Sequence, residues 1–147
     1  MKSSNSGNSI RTDELENLLS DSIHLDDFLQ TNQDHFIYGE LAEMLRILIK
    51  DQAISKSQLA RRAGMSDVYL FQILNGRRTP SRDRLLTLCI ALTCTLDEIQ
   101  AILKKSRYAQ LYVKDRRDAI IMHGICKQWS VDRINDALFS HEEAPLI

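Results

Sequence analysis

The feature that most constrains this chain is the spacing of its caps and breakers between Ser55 and Pro80. Ser55 or Ser57 is placed to cap a short helix that runs to Ala63. Gly64 breaks it, Ser66 caps a second helix over Asp67–Leu74, and Asn75-Gly76 ends that helix with a residue able to take positive φ. Pro80-Ser81 then opens a further helix, Arg82–Leu92. Two helices crossing steeply need a turn of three or four residues. Ala60 is small enough to let them approach, and Gly64 accepts the left-handed turn that a side chain resists. Met65 and Leu70 are expected to bury against Leu59.

The run Ser55-Lys56-Ser57-Gln58-Leu59-Ala60-Arg61-Arg62-Ala63-Gly64-Met65-Ser66, followed by Leu70, Gly76 and Pro80, resembles the Xre/lambda-repressor-like helix-turn-helix family without a gap. The resemblance covers about residues 36–93. It implies an all-α fold and a bacterial-type regulator that lays the helix Ser66–Asn75 in the major groove of duplex DNA. Asp67, Val68, Tyr69 and Gln72 stand at the positions that read bases in this family. Gln72 suits adenine, Val68 a thymine methyl, and Tyr69 a phosphate or a base edge, whereas Asp67 has only cytosine N4 to accept from. Lys56, Ser57, Asn75, Arg77, Arg78 and Arg82 are the phosphate candidates. Phe71 departs from the polar residue usual there and is expected to pack on the flank of the preceding helix. Arg61 reads as a solvated, solubilising residue.

Charge is distributed in agreement with this reading. The formal net charge of −1 conceals nine acids against two bases over residues 1–45, and nine bases against three acids over residues 46–84. A nucleic-acid surface needs a local basic patch, not a basic protein. Lys104, Lys105, Arg107, Lys114, Arg116 and Arg117 make a second basic run, which either extends such a surface or is a solvated loop.

Four segments are expected: a disordered tail over 1–11, an acidic helical arm over 12–35, the DNA-binding unit over 36–93 and a helical extension over 94–147. In the arm, Thr12 is placed to cap a helix from Asp13 to about Ser20, and a second helix follows Leu25. Leu15, Leu18, Leu19, Leu25 and Leu29 are available to dock the arm on the first long helix. That helix is legible from Phe36, Ile37, Leu41, Met44, Leu45, Leu48 and Ile49 recurring at three and four residues. Beyond it the chain echoes itself at an offset of thirty-five: Arg82-Asp83 falls on Arg117-Asp118, Thr95-Leu96-Asp97 on Ser130-Val131-Asp132, and Ala109-Gln110-Leu111-Tyr112 on Ala144-Pro145-Leu146-Ile147, which implies a C-terminal helical pair stacked beside the helix-turn-helix bundle.

Other chemistries find little support. His24, His35, His123 and His141 lack metal-ligand spacing, and no HExxH, GxSxG, P-loop or GxGxxG occurs. An enzyme, a metal and a cofactor are not expected. Cys89, Cys94 and Cys126 form no CxxC and read as small buried thiols. The polar N-terminus and the lack of a long apolar run point to a cytoplasmic location with no membrane. Ile120, Ile121, Ile125, Trp129, Leu138 and Phe139 offer apolar surface for a homodimer. The alternative function is a protein-interaction module on the same scaffold, with a partner at the arm or the C-terminal helices.

Overall fold

The computed structural model describes residues 10–147, whose regular elements are all helices, with no strand among them. The helices are α1 Thr12–Asp21, α2 Leu25–Thr31, α3 Ile37–Lys50, α4 Lys56–Ala63, α5 Asp67–Leu74, α6 Arg82–Ala91, α7 Leu96–Lys105, α8 Arg116–Cys126 and α9 Val131–Ser140. A 3-10 turn, Gln33–His35, precedes α3. The expected tail lies almost wholly outside the described residues.

Helix starts divide the chain in two. From α4 to α9 each helix begins on a side-chain cap: Ser55, Ser66, Ser81, Thr95, Asp115 and Ser130 accept a main-chain N–H of the first turn. Each such cap is worth about 1 kcal/mol against alanine. In α4 and α7 the bond is returned, Gln58 and Glu98 reaching back to the cap N–H in a capping box. The first three helices start at Arg11, His24 and Phe36 with no such bond. Thr12 is thus the first helical residue of α1 and not its cap.

One apolar core runs from Leu41 in α3 to Leu146 beyond α9. Leu41, Leu45, Leu59, Leu70, Ile73, Leu85, Leu86, Ile99, Leu103, Ile121, Ile134 and Leu138 are all buried in it. Ile121, Ile125 and Leu138, expected to serve a partner, are therefore consumed within the chain; Ile120 and Trp129 are half-buried against the same core, and only Phe139 stands open. Arg46 of α3 donates to the carbonyl of Leu74, and Gln52 Nε2 in the turn after α3 donates to Leu92 O at 2.9 Å, so the ends of α5 and α6 are satisfied.

The arm packs differently from expectation. α1 buries no residue, and Leu18, Leu19, Ile23, Leu25 and Leu29 are exposed. Its anchor is Phe28, whose ring meets Phe36 edge-on at 6.3 Å, with buried Asn32 donating to Phe28 O. Among the described residues no helix is long and apolar enough to cross a membrane. Cys89 and Cys94 are buried as expected, but Cys126 is exposed, because it follows the last apolar turn of α8 on the outer side.

Candidate nucleic-acid interface

The interface is built on α4, the turn after it, and α5. Ala60 and Ala63 are fully buried and let α4 lie close on α6. Gly64 has φ +73 and lies in the left-handed region, where a Cβ is disfavoured. The turn closes with Met65 N–H donating to Ala60 O at 2.9 Å, and Arg84 donates to Gly64 O at 3.0 Å. Ser66 Oγ accepts from Tyr69 N–H and starts α5. At the other end Gly76, also at φ +73, reverses the chain while Arg77 N–H donates to Gln72 O.

Leu70, Ile73 and Leu74 bury one face of α5, which leaves the opposite face outward. Asp67, Val68, Phe71 and Asn75 are exposed there and Gln72 is half-buried. With Lys56, Ser57 and Arg77 they line a shallow groove of about 620 Å³. The backbone thus brings together eight of the residues singled out in the sequence.

Several side chains do something other than expected. Phe71 does not pack on the flank of α4: it is 55 % exposed, with Lys56 Nζ 5.6 Å from its ring centroid. A cation over the ring face holds both groups outward. The Asp67 carboxylate accepts from Ser57 Oγ at 3.1 Å and sits in the first turn of α5, where the helix dipole favours an acid. It ties the start of α4 to the start of α5, and it engages the Ser57 hydroxyl that was assigned to phosphate. Tyr69 turns sideways, half-buried, with Arg78 and Arg84 at 5.3 and 5.7 Å from its ring. Next to it Tyr108 donates to Pro80 O, and its phenol titrates above the usual range because of burial and the nearby Tyr69.

Arg82 is a correction. Its guanidinium donates to Ala109 O and Gln110 O and pairs with Asp118 at 3.1 Å, so it is committed to the interior. In the second basic run Arg116 and Arg117 are likewise spent on Glu143 and Asp83. Arg77 and Arg78 remain exposed beyond α5. Arg78 Nε donates to Gln72 Oε1 at 2.9 Å, which fixes the amide with its NH2 group free. Arg84, which props the turn through Gly64, was not legible as a site residue, because only the folded chain brings it to Tyr69.

Residues 40–99 match a family described as helix-turn-helix, a span from α3 into α7. No curated protein and no solved structure matches the chain. The capped helices, the glycine turn and the outward face of α5 are the physical content of that match, and residues 40–99 are a helix-turn-helix domain of the Xre/lambda-repressor-like family, a DNA-binding and non-enzymatic family.

Proposed function

We propose that the protein is a sequence-reading regulator of transcription that places α5 in the major groove of duplex DNA, carried by residues 36–93. The observation that carries this reading is the outward face of α5, where a short row of readers is flanked by the exposed cations Lys56, Arg77 and Arg78. Val68 and Phe71 offer apolar contact to thymine methyls, and the free NH2 of Gln72 donates to an acceptor such as purine N7. Lys56, Arg77 and Arg78 flank them for phosphates, with Asn75 at the end of the helix. Asp67, held by the Ser57 hydroxyl at the start of α5, acts as a strut between the two helices rather than as a reader.

The test is selection of bound fragments from random duplex DNA, followed by affinity measured against salt concentration. Neutralising one phosphate contact changes the slope of log K against log salt by about 0.9. Arg77→Ala should flatten the slope by about that much and weaken all sequences alike. Affinity for no fragment, or a slope unchanged in the variant, would remove the reading. A partner protein is favoured by one further observation: the exposed leucines of the arm stand among acids, and a basic-rimmed apolar groove on another protein is their natural complement.

A further inference from the structure

Two parts of the chain repeat each other in space at a constant offset of thirty-five residues. α7 (Leu96–Lys105) and α9 (Val131–Ser140) correspond end to end, with Thr95 and Ser130 as caps. Among the described residues the left-handed non-glycine positions are Thr93 and Arg107, Gln128 and Glu142, which form two pairs at that offset. Arg82 donates to Ala109 O and Gln110 O; Arg117 donates to Ala144 O and Pro145 O. Gln100 Oε1 accepts from Leu111 N–H at 2.8 Å, and Asn135 Oδ1 accepts from Leu146 N–H at 2.7 Å. Leu111 and Leu146 are both buried plugs. α6–α7 and α8–α9 are two copies of one unit.

The copies meet reciprocally. Arg82 of the first pairs with Asp118 of the second at 3.1 Å, and Arg117 of the second pairs with Asp83 of the first at 3.1 Å. α6 touches α9 while α7 touches α8. Exchange of contacts in this manner is the mark of a two-fold interface between like surfaces. The Arg82-Asp83 pair is moreover self-complementary: two copies of α6–α7 in this arrangement would set each Arg82 against the other's Asp83.

The outer face of the second unit shows what it is for. In the first unit Leu88, Ala91 and Leu92 are buried, with α6 packed on α4. Their counterparts, His123, Lys127 and Cys126, are exposed. The second unit therefore needs no cover of its own and serves to cover the first.

We propose that α8–α9 occupies, within one chain, the place of a second copy's α6–α7, so that a two-fold docking surface for another copy of this chain is present but already filled. The full chain is then a single-chain molecule with one recognition helix. Sedimentation of the protein without DNA tests this independently of the DNA reading. The full chain should sediment as one chain across the micromolar range. Arg117→Asp sets a carboxylate against Asp83, loosens the second unit and leaves Arg82 and Asp83 intact, so self-association should tighten by at least about tenfold. Adding Asp83→Arg rebuilds the internal pair with reversed sign and spoils the self-complementary one, which should return the protein to one chain. A full chain that is already dimeric overturns the proposal. So does an Arg117→Asp variant that keeps its helical circular dichroism and stays a single chain. Should that variant lose its helices, Arg117→Ala is read by the same two criteria.

Discussion

Gln72 and Arg78 are joined by one hydrogen bond, and that bond divides the labour at the reading face. A base contact and a phosphate contact normally separate cleanly, one costing affinity on the preferred site alone and the other on every sequence. Gln72→Ala should cost about 1–3 kcal/mol on the selected site and little on random DNA. Arg78→Ala should show both losses at once, because it frees the amide it orients; Arg77, whose bond to Gln72 is main chain to main chain and survives the substitution, should show the uniform loss alone. Competition binding on selected and random duplexes distinguishes the three. At this scale the caps and glycines were legible in the sequence, since Ser55, Ser66, Gly64 and Gly76 obey rules that operate within four residues. Phe71 and Arg82 were not. Whether a side chain turns in or out depends on what arrives from elsewhere, and the partners of Arg82 come from 27 to 36 residues further on.

The helices were legible where periodicity and caps agree. α3 through α6 lie within a residue or two of the expected bounds, and the long amphipathic stripe of α3 buries Leu41, Leu45 and Ile49 as its spacing demands, although Ile37, at its first turn, is left exposed. The arm was misjudged because acidic leucine-rich helices carry no record of whether a receiving surface exists. α1 has no buried residue, and its ion pairs from Arg11 to Asp13 and Glu14 are exposed, a kind that contributes little. Removing residues 1–21 should therefore alter unfolding free energy by less than about 0.5 kcal/mol. Phe28→Ala should cost about 3 kcal/mol, since a buried aromatic against Phe36 is lost. Denaturant titrations of the two variants check both figures; a large loss from the truncation alone would mean that α1 is docked after all.

In the whole molecule the core makes no division between the family-matched segment and the C-terminal helices. Leu85 and Leu86 of α6 belong to the same apolar cluster as Ile121, Ile134 and Leu146. Unfolding should accordingly be a single transition, with van't Hoff and calorimetric enthalpies equal; two resolved transitions would show that α8–α9 melts separately. The offset of thirty-five residues was visible in the sequence as a repeat of residue types. So was the helical pair stacked beside the main domain that it implies; the reciprocity of the two copies was not, because their ion pairs exist only once they face each other. Apolar residues such as Ile121 and Leu138 read equally well as surface for a partner and as surface for a neighbour in the same chain.

A two-fold contact between identical subunits writes every substitution twice, once on each side, so that neither half of the surface is able to change without the other. Held within one chain, the same contact is written once on each side, and its halves are free to diverge. Leu88 against His123, Leu92 against Lys127 and Ala91 against Cys126 show that freedom in use: one unit buries this face in the core beneath α4, while the other leaves it to solvent and buries the side that meets its twin.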